Sequence, residues 1–143
     1  MISVRHAISK DAESIAKLNA NEFGYKYPVE KTKERIKDIL NKSTDRIFVV
    51  CENNAVVGYA YACNYEGTYF DAQKNIMAIA IDSNHRGKGL GKALLNAVED
   101  WAKVECCIGI RLVSGIDRTG AHEFYRHCGY KLRKEQKNFI KIF

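Results

Sequence analysis

The sequence predicts a mixed α/β domain, a sheet flanked by helices, and three observations carry that expectation. Strand-like and helix-like segments alternate in the order β-α-α-β-β-β-α-β-α-β-β. Two apolar runs, Arg46–Glu52 and Val56–Tyr65, flank Asn53-Asn54, a pair suited to the tight turn of a hairpin. A third run, Ile76–Asp82, passes through a basic, glycine-rich turn into a long amphipathic segment.

Each element has its own local signal. Ser3–Ala7 reads as a strand, and Asp11 is placed to cap a helix that runs to about Asn21. A second helix is expected over Glu30–Asn41, entered through Tyr25-Lys26-Tyr27-Pro28. In the hairpin, Gly58 marks the expected position of a bulge. Ile76–Asp82 is the central strand, and the long helix spans Gly89–Lys103. Its residues Leu90, Ala93, Leu94, Ala97, Val98 and Trp101 recur at helical spacing, so one face packs on a sheet. Trp101 belongs to that core or its margin. Ile108–Ser114 is the next strand and Gly120–Cys128 a short helix; Tyr130–Glu135 and Lys137–Phe143 are expected to close the domain as a hairpin.

The turn between the central strand and the long helix reads His85-Arg86-Gly87-Lys88-Gly89-Leu90-Gly91-Lys92. Glycines at 87, 89 and 91 let the backbone turn tightly and aim successive N–H groups at an anion, and the helix that starts there adds the positive end of its dipole. Arg86, Lys88 and Lys92 supply compensating charge. Two other phosphate loops are excluded. No Lys-Ser or Lys-Thr follows a glycine as a P-loop requires, and the third glycine of G-x-G-x-x-G would fall on Lys92 or Leu94.

Arg86-x-x-Gly89-x-Gly91 after an apolar strand resembles the acyl-CoA-binding motif of the GNAT N-acetyltransferase superfamily. Downstream, the stretch from Arg118 to Tyr130, RTGAHEFYRHCGY, resembles that family's A-x-x-x-Y-x-x-x-G-[FY] segment, and more narrowly the branch reading R-x-x-A-H-x-F-Y-x-x-x-G-Y. The two motifs stand in the family's order and at its usual separation. The resemblance covers most of the chain and is strongest from Asn75 to Tyr130.

The resemblance implies a mostly antiparallel central sheet in which two parallel central strands splay apart, with acetyl-CoA as cofactor. It implies that the main chain of Ile79, Ala80 and Ile81 meets the pantetheine arm, while their side chains remain core. The pyrophosphate would rest on the amides of Gly87, Lys88, Gly89, Leu90, Gly91 and Lys92, with Arg86 beside them. Where many relatives carry Asn seven residues before the tyrosine, this chain has Arg118, which contacts CoA phosphates or caps its loop. Tyr125 matches the tyrosine held to protonate the departing thiolate; by periodicity alone it would be a core aromatic, sharing a stripe with Ala121, Phe124 and Cys128. His122 and His127 read as structural or exposed.

The base is not assigned by the motifs. Nothing acidic lies between Asp71 and Asp82, where relatives often carry a carboxylate. Asp71 and Glu66 are the nearest acids, and a water chain held by Asn75 is the alternative; solvation alone would also account for both acids. Acceptor choice is expected in two aromatic segments, Phe23 to Tyr27 with Tyr25 and Tyr27, and Tyr65 to Asp71 with Tyr69. The acceptor is expected to be a primary amine of a small molecule or peptide. A CoA-binding sensor or structural domain without catalysis is the other reading.

Composition agrees. At 143 residues, with 46% hydrophobic residues and one proline, the chain is expected to form a single domain over residues 1–143. Five cysteines with no C-x-x-C and four dispersed histidines favour neither a disulfide framework nor a metal site. The net charge of +6 is spread out: Lys31, Lys33, Arg35 and Lys37 alternate with Glu30, Glu34 and Asp38. No base-reading motif accompanies it, so nucleic acid is not an expected partner, and part of the excess suits a polyphosphate ligand. No apolar run reaches the length of a membrane span and the first residues lack a signal-peptide core, which leads to the expectation of a cytoplasmic monomer or homodimer with no membrane partner.

Overall fold

The computed structural model describes all 143 residues. They form two compact units, Met1–Val113 and Ser114–Phe143.

The first unit is a five-stranded sheet in sequential order: β1 (Ile2–His6), β2 (Asp45–Glu52), β3 (Ala55–Tyr65), β4 (Gln73–Ile81) and β5 (Ile110–Leu112). Neighbours pair antiparallel except β4 and β5, which run parallel. Helices α1 (Ala12–Leu18) and α2 (Val29–Leu40) connect β1 to β2, and α3 (Leu90–Val104) connects β4 to β5. Alternation divides the core between the two faces of the sheet. Ile47, Val49, Cys51, Tyr59 and Ala80 pack with Ile15 and Leu18 of α1 and Ile36 and Ile39 of α2. On α3 the buried residues are Leu90, Leu94, Leu95, Val98, Trp101 and Ala102.

Local signals explain most elements. Asn53 and Asn54 both take positive φ, 51° and 70°, as the twist of a two-residue hairpin requires. Gly58 has a different role from the one expected. The bulge in β3 falls at Val57, where Gly58 pairs with Val50 and Val56 with Cys51. Gly58 is required by crowding: a Cβ there would stand 2.5 Å from Ile81 Cδ1 and 2.8 Å from the Ala80 carbonyl oxygen.

Asp11 precedes α1 but does not cap it with its side chain. Its carboxylate accepts the Ile8 N–H at 2.8 Å and both guanidinium nitrogens of Arg5 at 2.8 and 2.9 Å. The expected first helix also changes character. It opens with a 3₁₀ turn (Ser9–Asp11) and ends as one turn of π-helix (Asn19–Phe23), where Asn19 Oδ1 accepts the buried Tyr59 hydroxyl.

β4 begins three residues earlier than its apolar run, because polar Gln73, Lys74 and Asn75 pair with Tyr65, Asn64 and Cys63 of β3. Lys74 is buried over the Trp101 ring at 3.8 Å and bonds Glu105 and Asn64. Trp101 Nε1 donates to Glu105 at 2.8 Å, so the tryptophan is core and also holds the end of α3. β5 is shorter than expected, since its only neighbour is β4 and their pairing stops at Ile76↔Leu112.

The second unit contains α4 (Thr119–His127). No closing hairpin follows: residues 130–143 adopt no regular structure, with Leu132, Phe139, Ile140, Ile142 and Phe143 exposed. The intended turn at Gln136 lacks a residue that favours positive φ, and a lone two-stranded ribbon is marginal in water.

Candidate functional site

The feature that positions the site is the free edge of β4. Its pairing with β5 spans only Lys74–Ile76, while β4 continues to Ile81, paired with β3 alone through Ile79↔Ala60, Ala80↔Tyr59 and Ile81↔Gly58. Main-chain groups of Met77–Ile81 therefore have no strand partner on the β5 side, a gap in the pairing of the two parallel strands. Ile79 and Ile81 are half-buried and Ala80 buried, so their side chains serve the core while their backbone lines the gap.

At the head of this gap β4 carries one extra residue. Tyr61 pairs with Ala78 and Ala62 with Ile76, leaving Met77 unpaired and more than half exposed. Bulges of this kind re-aim a strand and recur beside functional sites. No glycine stands at the bulge to signal it.

At the other end, Asp82 Oδ1 accepts the Asn84 N–H at 3.0 Å and a single 3₁₀ turn (Ser83–His85) leads into the glycines. Gly87 and Gly89 take φ +81° and +78°, conformations that side chains rarely adopt. Gly89 is the N-cap of α3, and no side chain caps the first-turn amides. Leu90 anchors the turn at 2% exposure, Gly91 is half-buried and Lys92 exposed. These uncapped amides lie at the positive end of the helix dipole and make the turn a cradle chemically suited to an anion.

The cradle's cations are not idle. Arg86 Nη2 donates to Glu22 Oε1 at 2.6 Å, and Glu22 Oε2 accepts the Ser83 N–H at 3.2 Å. Lys88 Nζ bonds both carboxylate oxygens of Glu52, at 3.1 and 2.9 Å, and His85 Nδ1 lies 2.7 Å from the same group. Hydrogen bonds from Lys88 and His85 hold the Glu52 carboxyl below its ordinary pKa. Glu22 and Glu52 went unnoticed in the sequence. Only the ends of β2 and the π-turn bring them to the cradle, and neither follows from local pattern. A cavity of about 150 Å³ adjoins Glu22, lined also by Ser14, Lys17, Asn21 and Asp82.

The sequence candidates for proton transfer and acceptor binding fall in different settings. Asn75 already has partners: its Oδ1 accepts from Arg111 Nη1 at 2.9 Å and its Nδ2 donates to Met77 Sδ at 2.9 Å. Asp71 is exposed just before β4 with no hydrogen bond or ion pair, and Glu66 is likewise exposed. Tyr69 is 88% exposed and meets Phe70 edge-on at 5.3 Å; Tyr25 packs near Phe23 at 6.0 Å, and Tyr27 is exposed. Sequence reasoning overlooked Arg111, whose guanidinium lies 4.4 Å from the ring of Tyr65, the first residue of the expected acceptor segment.

Within the second unit, α4 ends in a Schellman cap. The Tyr130 N–H bonds the Tyr125 carbonyl at 2.9 Å, the Gly129 N–H bonds Arg126 at 3.0 Å, and Gly129 has φ +90°. The G-Y of the motif is thus the stop signal that fixes Tyr125 in the last turn, with Tyr130 packed on it at 6.1 Å. Burial pushes the Tyr125 phenol above its ordinary pKa and outweighs the opposing pull of Arg118. Arg118 is the N-cap of α4, and His122 Nε2 lies 2.9 Å from the Gly115 carbonyl oxygen.

Residues 12–130 match the model of the Acetyltransferase (GNAT) family. The chain is 31% identical over 106 residues to an uncharacterized N-acetyltransferase of Methanocaldococcus jannaschii, covering 72% of this chain but 47% of that one, so it spans about half the length of that relative. It is 26% identical over 125 residues to the uncharacterized N-acetyltransferase YhdJ of Bacillus subtilis, covering 87% and 88% of the two chains. A GNAT family acetyltransferase of Staphylococcus aureus superposes with a TM-score of 0.76 at 26% identity, covering 99% and 98%.

Proposed function

Because the chain belongs to the acetyltransferase (GNAT) family, we propose that it is an acetyl-CoA-dependent N-acetyltransferase that moves the acetyl group directly from the thioester to a primary amine of a small molecule or peptide. The observation that carries the reading is the open edge of β4, running from the Met77 bulge to the glycine cradle. One end offers unpaired main-chain groups to a pantetheine amide. The other offers helix amides and cations to a pyrophosphate. No helix is long and apolar enough to cross a membrane.

Acetyl-CoA supplies an activated acyl group. The chain's own residues have three tasks. Gly87 to Lys92 bind the phosphates, with Arg86 and Lys88 exchanging their carboxylate partners for phosphate oxygens. The main chain of Ile79–Ile81 orients the arm. Tyr125 protonates the departing thiolate, whose pKa by analogy with cysteine is about 8.5. The raised pKa of Tyr125 keeps it a donor throughout the neutral range.

Deprotonating an amine of pKa ~10.4 near pH 7 costs roughly 4.6 kcal/mol, and a proton must also leave the acceptor. β4 carries no carboxylate between Gln73 and Ile81, and Asn75 is held by Arg111 and Met77. The proton therefore departs through water along this strand or to Asp71. The missing strand carboxylate is also what favours the second reading, a CoA-binding domain without catalysis.

Two measurements test this. Acetyl-CoA at ~100 times its dissociation constant should raise stability by about 2.7 kcal/mol, while NAD and ATP should not. Free thiol should appear from acetyl-CoA in the presence of a suitable amine. Binding without thiol release across a broad amine panel selects the non-catalytic reading, and no stabilisation by millimolar acetyl-CoA or CoA refutes both.

A further inference from the structure

Arg111 lies on β5 in register with Asn75, one pair before the β4–β5 pairing ends. By strand alternation it shares a sheet face with Asn75 and Tyr65. Three contacts fix its side chain or its support. Its guanidinium carbon stands 4.4 Å from the Tyr65 ring centroid, Nη1 donates to Asn75 Oδ1 at 2.9 Å, and Tyr65 is itself stacked on Phe70 at 5.1 Å and 18°.

What this guanidinium lacks is an acid. Arg5, Arg35, Lys74, Arg86, Lys88 and Arg126 all have carboxylate partners within 4.0 Å; Arg111, half-buried, has none. Its one protein acceptor is the neutral Asn75 amide, and the rest of the fork has no protein acceptor. A partly desolvated guanidinium held over an aromatic ring, without a counter-ion, is pre-organised to take a planar or tetrahedral oxyanion through two N–H groups.

Its position gives that site a meaning. Asn75 connects Arg111 directly to Met77, the bulged residue at the head of the opening along which a thioester would lie. We propose that Arg111 is a specificity-determining residue that binds an anionic group of the acceptor, so that the acceptor is an amine bearing a carboxylate or phosphate, of the amino-acid class. The proposal rests on the transferase reading for its placement of the acceptor. It disfavours polycationic amines, which would bring like charge to an uncompensated guanidinium.

The test measures binding and turnover separately on the full chain. In the presence of CoA, free amino acids are titrated against the matching amino-acid amides, and ethanolamine phosphate against ethanolamine. The expected result is that an anionic member of these pairs binds at least tenfold more tightly than its neutral counterpart. The winning pair tells carboxylate from phosphate. Arg111→Gln should collapse that ratio to within about twofold of unity while acetyl-CoA affinity stays within twofold. Arg111→Lys, which keeps the charge but loses the planar fork, should retain a reduced preference and covers the case in which the glutamine variant does not fold. With turnover, the same ratio should appear in KM rather than kcat.

Equal binding of anionic and neutral members by the native protein overturns the proposal, as does a preference that survives both substitutions. Arg111-dependent binding of an anionic amine with no thiol release would instead uphold the site and remove the transferase reading.

Discussion

Arg86 and Glu22, 64 residues apart in the chain, meet at 2.6 Å, with the glutamate side chain 7% exposed and the arginine side chain 63% exposed. The pair joins the cradle to the π-turn after α1. On the proposed function, a phosphate ligand would enter a site whose cations already have partners, so binding would be an exchange of anions and not a simple neutralisation.

Glu22→Gln tests the exchange. Glutamine keeps an acceptor for the Ser83 N–H but removes the competing charge, and an ion pair whose arginine stays exposed to solvent is worth up to about 1 kcal/mol. Acetyl-CoA should bind roughly two- to fivefold more tightly by calorimetry, with a steeper loss of affinity as salt is raised. Weaker binding would show that Glu22 orders Arg86 for the ligand.

Gly89→Val should abolish CoA binding. A Cβ at Gly89 meets no atom within 4 Å, so the fold has room for it; the cost comes from φ +78° and from a side chain standing where the phosphates approach the amides. Equilibrium dialysis on a variant with native circular dichroism checks this, and unchanged affinity would make the turn purely structural.

Tyr125→Phe keeps the ring packed on Phe124 and Tyr130 and removes the proton donor. Acetyl-CoA affinity should stay within a few fold while turnover drops by ~10²-fold or more. Because burial raises the phenol's pKa, the native enzyme should keep the acid across the neutral range, whereas the deficit of the variant should narrow towards the thiolate pKa near 8.5. A kcat that is unaffected at neutral pH would identify Tyr125 as packing alone.

Asp11 predicts a pH dependence of stability. Burial alone would raise its pKa, but the Arg5 hydrogen bonds, the Ile8 N–H and the Arg5 charge together bring it below the ordinary value. A depressed folded-state pKa gives a contribution that is complete above the unfolded pKa of about 3.9 and is lost as pH falls through the folded value. Asp11→Ala should lower stability by ~1–3 kcal/mol at pH 7 in urea denaturation and flatten the fall in stability below pH 4.

Which parts of this molecule were legible beforehand follows from the range of each signal. The Asn53-Asn54 turn, the apolar stripe of α3, the glycines at 87 and 89 and the cap at Gly129 are encoded within a few residues, by backbone conformations few side chains tolerate or by periodicity along one element. The sequence by itself determined these, together with the α/β class and the place of the glycine-rich turn before α3. The same reasoning overextended β5 and predicted a closing hairpin, because alternation shows only that a strand could form, whereas a partner strand decides whether it does.

Tertiary structure alone decided the rest. The Met77 bulge is a matter of register between β3 and β4, and no glycine or proline announces it. Glu22 and Glu52 reach Arg86 and Lys88 only because elements far apart in the chain end close together. Arg111 shows no motif in its own strand; its uncompensated charge exists only where Tyr65 and Asn75, from two other strands, come to support it. Backbone propensity acts over a turn or two, but counter-ions and pair register are fixed by residues far apart in the chain, and their energies exist only once the sheet has brought them together.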